Sequence, residues 1–397
     1  MKMHLQIEPT SRDESGRVIL SSLLQMGRGR RHRFFFAIEE DAYHESMDQR
    51  AMPHLISQLM HAMRLGGKLF VDGALSPSHV RQLETYMRRW ILWCPDVFRW
   101  VEITPNEWND EVIPESSRHG AISCFSGGVD SFYSYAFLER DTNVPLRSLV
   151  FMHGFDIDLT MSDYYHETAQ FYRDRLRKGN VRLLKVQTNA KQSARKFQLN
   201  WGKVGHGIYL AATLHLLGHD HALACIPSSH SPDSPTTPWG SHPMTDPLLS
   251  SSTLPLIHHN YMVSRYEKIA ALAQHDDCLE MVRVCWKIHE NQLNCGYCPK
   301  CMATLLALEV AKPNSWLQAF PLVTSIDSVL HQLSITPINA FQLEQIAIVR
   351  NHAMREGRTE LAEQIAKIIR QKSTKKASYR MRLRRWFYDR KLSRQIS

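Results

Sequence analysis

The residues best suited to chemistry lie in one run, Ser123-Cys124-Phe125-Ser126-Gly127-Gly128-Val129-Asp130-Ser131. Before it, Gly120-Ala121-Ile122 reads as the start of a buried strand, and after it Phe132 to Leu138 reads as the start of a helix. Strand, glycine loop and helix in that order gather free backbone N–H groups and the positive end of a helix dipole at one spot, which suits an anion. Gly127 and Gly128 let the backbone come close to a ligand. Ser126 and Ser131 add hydroxyl donors. Asp130 calls for a cation there, and Mg²⁺ on a nucleotide's phosphates is the natural candidate. The loop lacks the Gly-Lys-Ser/Thr end of a Walker A loop and the Gly-x-Gly-x-x-Gly of dinucleotide folds. A glycine turn with a helix cap is the plainer reading, but it does not call for the whole run.

A second cluster is Cys285…Cys295-Gly296-Tyr297-Cys298-Pro299-Lys300-Cys301, with the spacing Cys-x9-Cys-x2-Cys-x2-Cys. Four soft thiolates gathered this way favour a tetrahedral metal, with Zn²⁺ first and an iron–sulfur cluster as the rival. No ligand position is left open, so a zinc ion there is expected to be structural. Cys94, Cys124, Cys225 and Cys278 are scattered, mostly in apolar runs, and Cys278, seven residues before Cys285, is expected in the core, with a substitute-ligand role as the alternative. Scattered thiols plus one metal-like cluster fit a reducing, cytoplasmic setting. No apolar run reaches the ~18 residues of a membrane span, and Met1 to Glu8 has no signal-peptide pattern. The net charge is +9, yet ten Lys/Arg and one acid follow Gln371, leaving 38 of each sign in the body. The basicity is therefore a tail.

The elements that position these motifs follow from periodicity. Strands at Ala121–Phe125, Leu146–His153, Val181–Thr188, Ala222–Pro227 and Leu254–His258 alternate with helices at Asp130–Arg140, Met161–Lys178, Ala190–Leu199 and Val204–Leu217. That alternation predicts an α/β fold with a parallel sheet, helices on both faces and ligands at the strands' carboxyl ends. Residues 1–115 read as a separate N-terminal α+β domain for docking or oligomerisation, a homodimer included. Within it, Arg28-Gly29-Arg30-Arg31-His32-Arg33 reads as a solvated hairpin turn or a ligand contact. Residues 116–311 form the loop-bearing domain, and 312–397 read as a helical C-terminal region. Its end, Tyr379 to Tyr388, mixes arginines with aromatics, as a nucleic-acid contact or a fraying surface helix would.

The stretch Pro227 to Pro255 holds seven of the chain's eighteen prolines and follows a strand's carboxyl end. A long loop in that place reads as a lid or binding loop, with a disordered linker as the alternative. Ser228, Ser229, His230, His242 and Asp246 offer hydrogen bonds to a substrate, and Trp239 offers a stacking surface for a planar heterocycle.

The first run resembles the Ser-Gly-Gly-x-Asp-Ser signature of the PP-loop ATP pyrophosphatases, whose fold is Rossmann-like. The resemblance implies ATP cleavage between the α- and β-phosphates and adenylation of a substrate oxygen. It implies Asp130 and Ser131 as catalytic residues and Ser126, Gly127, Gly128 and Val129 on the phosphates. Val150 to Met152 would contact adenine, and His206 and Gly207 belong to a second glycine segment near the nucleotide, unless His206 only caps its helix. Asp156 would serve metal or substrate, or form a polar turn. Lys185, Lys203 and Arg265 are the cations open to a transition-state role.

Paired with the cysteine motif, the chain resembles QueC, the 7-cyano-7-deazaguanine synthase family of queuosine biosynthesis, over residues 116–311. In layout, with its added N-terminal, Pro-rich and C-terminal segments, it is similar to the QueC-like proteins of the Qat and type IV CBASS anti-phage systems. The resemblance implies a ligase using ATP and Mg²⁺, with structural Zn²⁺ on Cys285, Cys295, Cys298 and Cys301. Its substrate would be 7-carboxy-7-deazaguanine, and its acceptor ammonia or the N-terminal amine of a partner protein. A tRNA-modifying PP-loop enzyme and a non-catalytic nucleotide-binding scaffold are the alternatives.

Overall fold

The structure is a computed structural model describing residues 1–27, 29–109, 118–176, 180–229, 238–285 and 292–373. It divides into two compact units, Met1–Arg265 and Tyr266–Ser397. Both boundaries expected from the sequence, near 115 and 311, fall inside a unit.

The first unit is built on one mostly parallel sheet. Its strands are β1 (Lys2–Ile7), β2 (Ser11–Arg12), β3 (Val18–Met26), β4 (Arg30–Ile38), β5 (Gly67–Leu75), β6 (Val101–Trp108), β7 (Ala121–Phe125), β8 (Leu146–His153), β9 (Arg182–Thr188), β10 (Leu223–Pro227) and β11 (Leu256–His259). The order is β11-β10-β7-β8-β9-β4-β3-β1-β5-β6, with β2 beside β3. Its helices are α1 (Ala51–Leu65), α2 (Pro77–Trp93), α3 (Val129–Thr142), α4 (Ser162–Leu176), α5 (Ala190–Lys196) and α6 (His206–Leu217).

Every residue of β7 is buried, as a central parallel strand covered on both faces requires. From β7 the chain steps to β8 and β9 on one side, then returns to β10 and β11 on the other. That is the doubly wound, Rossmann-like order, and it puts a topological switch point between β7 and β10.

The N-terminal strands extend this sheet. β4 pairs antiparallel with β9 through Phe36↔Thr188, Ala37↔Gln187 and Ile38↔Val186. The helix layer is shared too, because α1 and α6 pack together. The His61 Nε2 lies 2.8 Å from the Tyr209 hydroxyl, and Arg50 donates to the His215 carbonyl at 2.9 Å. α1 needs this second cover, being buried at all but its last two residues.

At and after the division come α7 (Arg265–Leu272), α8 (Asp276–Leu279), α9 (Pro299–Ala311), α10 (Trp316–Ala319), α11 (Ile326–Ile335) and α12 (Ala340–Arg355). A further helix runs over 359–373. α12 begins with a reciprocal capping box between Asn339 and Gln342. The basic tail beyond 373 lies outside the described residues. Among the described residues, no helix is long and apolar enough to cross a membrane.

Candidate functional site

The glycine loop leaves β7 at Phe125 and enters α3 at Val129, with Gly128 as the cap residue. Gly127 has φ +75°, and a Cβ there would sit 1.9 Å from the Tyr172 hydroxyl. Only glycine fits so close to a buried ring in the left-handed region. Ser126 Oγ accepts from the Gly128 N–H at 3.2 Å, and Ser131 Oγ donates to the Gly128 carbonyl at 3.0 Å. The two hydroxyls, 3.5 Å apart, brace the turn from both ends.

Asp130 lies in the first turn of α3, where its charge suits the helix dipole. Arg265 donates to Asp130 Oδ2 at 2.9 Å, and both side chains are about one-fifth to one-quarter exposed. The geometry therefore separates the three cations the sequence left open. Lys185 is held by Glu39 at 2.6 Å, and Arg173 binds the same carboxylate. Lys203 sits in a wide turn, Trp201–Gly205, capped by the Asn200 side chain. Arg265 alone of the three pairs with a residue of the loop.

Parallel pairing brings the carboxyl ends of β7, β8, β10 and β11 to one edge. Met152, on β8, is buried in the core beside Val150. His153 Nε2 donates to the Asp158 carbonyl at 2.9 Å, and its ring stacks on Tyr165 at 4.4 Å. Asp156 is exposed on the turn that follows. Ser228 is buried, with its N–H on the His259 carbonyl, while Ser229 is exposed. His230 lies outside the described residues.

A ring cluster continues along this edge. Phe155 meets Trp201 at 5.0 Å, Trp201 meets His206 at 6.3 Å, and His206 meets Trp239 at 5.6 Å. Trp239 is half-buried. Burial pushes the His206 imidazole below its ordinary range, and its Nδ1 faces the Trp201 carbonyl at 3.0 Å. Gly207 has a packing reason of its own, since a Cβ there would lie 1.9 Å from the Gly240 carbonyl oxygen. So 201–207 and 239–241 form one close-packed pair of turns.

The described part of the Pro-rich stretch is a packed loop. Asp246 is 1% exposed and does not face solvent. Its carboxylate accepts from Ser241 Oγ at 2.5 Å, the His242 N–H at 3.0 Å and His258 Nδ1 at 2.8 Å. A proton held on Nδ1 by that carboxylate makes His258 Nε2 the acceptor, and Nε2 is buried with no hydrogen-bond partner among the described residues. His242 is half-buried, edge-on to Trp93 at 5.2 Å, and burial lowers its pKa. His258 was missed in the sequence. The available signal was a histidine at the carboxyl end of a strand directly after an acid-bearing loop.

In the second unit, Cys285, Cys295, Cys298 and Cys301 are all buried, with their sulfurs within 4.8 Å of one another. The Cys298 N–H donates to Cys295 Sγ at 3.2 Å, and the Cys301 N–H to Cys298 Sγ at 3.5 Å. These bonds turn two sulfurs inward at the start of α9. Gly296 has φ +75°, and a Cβ there would meet Val323 at 2.4 Å. Four inward thiols, joined by no carboxylate or imidazole among the described residues, fit a tetrahedral metal such as zinc. Cys278 is buried outside the group, and burial pushes its thiol up to about 12.

Asn294, also missed in the sequence, clips this region together. Its Oδ1 accepts from the Val284 and Cys285 N–H groups at 2.8 and 3.2 Å. Its Nδ2 donates to the Val282 and Ala319 carbonyls at 2.6 and 3.0 Å. No family model, curated protein or solved structure matches the chain.

Proposed function

We propose that the chain is an ATP-dependent, QueC-like ligase that adenylates a carboxylate and passes the acyl group to an amine. One observation carries the reading: the Ser126–Ser131 loop and the α3 N-terminus lie at the switch point of a doubly wound sheet. Such crevices are where these sheets take nucleotides and other anions.

In this reading the triphosphate lies over Ser126 to Ser131. Asp130 is the carboxylate available to an ion that also binds phosphate oxygens, the donor set Mg²⁺ prefers. Bound Mg²⁺ would neutralise charge on the departing pyrophosphate. A substrate carboxylate oxygen attacks the α-phosphorus, and the bond to the bridging oxygen of pyrophosphate breaks. The amine then attacks the acyl carbon, loses a proton, and AMP departs. Arg265 orients Asp130 and brings a cation to the loop that would hold the phosphates. The work is positioning and electrostatics, so no nucleophilic side chain is needed.

The substrate class, 7-carboxy-7-deazaguanine or a similar planar heterocyclic acid, suits the half-buried Trp239 and the polar residues around it. The amine is ammonia or the N-terminus of a partner protein. Cys124, the cysteine beside the loop, favours this reading over a thiolating tRNA enzyme. It is buried, and burial pushes its thiol well above the usual range, so it is not poised as a thiolate.

Pyrophosphate release and product mass test the proposal. Purified protein receives ATP, Mg²⁺ and 7-carboxy-7-deazaguanine, with ammonium or co-expressed neighbour proteins, beside an Asp130→Ala control. Release that depends on Asp130, with a deazaguanine mass on a small molecule or a protein N-terminus, is expected. Silence under every condition refutes the substrate assignment.

A further inference from the structure

A cavity of about 490 Å³ opens beside the first residues of β4 and the ends of α1 and α5. Among the described residues, Arg30, Arg31, Arg64 and Lys196 line it, and no carboxylate does. Among the described residues, Arg30, Arg31 and Lys196 enter no ion pair. Four like charges around one hollow repel each other and favour an anion. Helix ends account for only part of the set. Arg64 and Lys196 sit in the last turns of α1 and α5, where cations are favoured. Arg30 and Arg31 open a strand, and no helix end calls for them.

Arg64 is already fixed in place. Its Nε and Nη1 donate to the Phe197 and Val97 carbonyls at 3.1 and 3.0 Å, and its Nη2 to the Gln198 side chain at 3.4 Å. Three of its five N–H groups are used, leaving two in a fixed plane suited to a phosphate.

The wall beside these cations is aromatic. Phe197 lies parallel to His61 at 4.2 Å and edge-on to His32 at 5.1 Å, so its ring is held from behind. The volume is that of a small-molecule site and far exceeds a bare phosphate. A rigid ring next to clustered arginines is the pairing that stacks a base and grips its phosphate.

We infer that this cavity binds a nucleoside phosphate, with the phosphate on Arg30, Arg31, Arg64 and Lys196 and the base against Phe197. The source is a free nucleotide or one nucleotide of a single strand. The site is separate from the 126–131 loop, because β8 and β9 stand between β7 and β4. It does not depend on the ligase reading.

The test uses the full chain with AMP, adenosine and a single-stranded pentaadenylate, followed by calorimetry. Photocrosslinking with 8-azido-AMP then locates the contact by mass spectrometry. Crosslinks to 193–198 are expected. The double variant Arg30→Ala/Arg31→Ala should bind AMP at least tenfold more weakly, with an unchanged thermal midpoint because both side chains are exposed. Adenosine should bind at least tenfold more weakly than AMP, and added salt should weaken AMP binding. A pentamer far tighter than AMP identifies a strand, and equal affinity identifies the free nucleotide. Absence of saturable binding, unchanged affinity in the double variant, or crosslinks confined to 126–131 overturns the inference. Pyrophosphate release is read separately, so its failure would touch only the ligase reading.

Discussion

Replacing Gly127 by alanine asks whether the loop's glycine serves the fold or only a ligand. The new Cβ would lie 1.9 Å from the Tyr172 hydroxyl oxygen and 2.5 Å from Cζ, at φ +75°. Tyr172 cannot step aside, because its ring packs on Phe125 at 5.0 Å and Phe151 at 5.6 Å and is fully buried. The left-handed backbone costs an alanine about 1–2 kcal/mol. Overpacking adds about 1–3 kcal/mol, and the stiffer unfolded chain returns about 0.4–1 kcal/mol. A net loss of about 1–4 kcal/mol is expected in urea unfolding without nucleotide. Repeating the substitution in a Tyr172→Ala background removes the clash and leaves the backbone cost. The two losses should then differ by about 1–3 kcal/mol, the overpacking share. Equal losses in both backgrounds would refute the packing account. A loss below about 0.5 kcal/mol in the parent protein, the ordinary surface range, would show that the loop relaxes freely.

Three further outcomes are expected. Burial holds His54 and His32 at about 4 and His61 well below its ordinary value. A depressed histidine pKa means that the unfolded chain takes up protons first, so stability is full above about 6.5. It should fall as pH drops from there towards 4, by up to ~1.4 kcal/mol per pH unit for each histidine. Urea midpoints from pH 7 to 4.5 check this, and a His54→Leu variant with an unchanged slope would contradict it. Asp246→Ala should cost about 2–6 kcal/mol, because it strands the His242 N–H and the buried His258 Nδ1–H at about 1–3 kcal/mol each. Asp246→Asn keeps an accepting oxygen and should cost less, and an Asn variant as unstable as the Ala variant would show that the charge, not the hydrogen bonding, is what holds the loop. Metal analysis should find one zinc per chain, lost in Cys298→Ser. Chelation should lower the thermal midpoint, more so in acid, where thiols retain their protons, and a metal-free protein with an unchanged midpoint would exclude a structural metal.

The two central buried strands were legible residue for residue, and the other strands and helices of the parallel half to within one to three residues at each end. β7 and β8 match their expected spans, Ala121–Phe125 and Leu146–His153, and end where the apolar runs end. The loop's place between strand and helix was legible for the same reason. α6 starts two residues later than its pattern suggests, because Asn200 caps a wide turn over Trp201–Gly205 first. What periodicity does not encode is pairing between distant segments. Arg265 meets Asp130 across 135 positions, and β4 meets β9 across a longer gap. Phe34-Phe35-Phe36 lies in the N-terminal segment, residues 1–115, that the sequence sets apart as its own domain. In the fold, Phe34 also stacks on Tyr209 of α6, so the run belongs to a core shared with that helix. Asp246 looked like a free hydrogen-bonding group because a loop sequence does not reveal which side chains turn inward.

The seam between β4 and β9 sets a timetable for synthesis. β4 emerges from the ribosome about 150 residues before the strand that will cover it, which at ~5–20 residues per second is roughly 10–30 s. For that interval Phe34, Phe36 and Ile38, all fully buried at the end, belong to an uncovered strand. An apolar edge left waiting can pair with any other extended chain. Translation speed through residues 39–188 therefore decides how long the chain is exposed to its own copies, and slow codons there should raise aggregation without changing a single residue of the product.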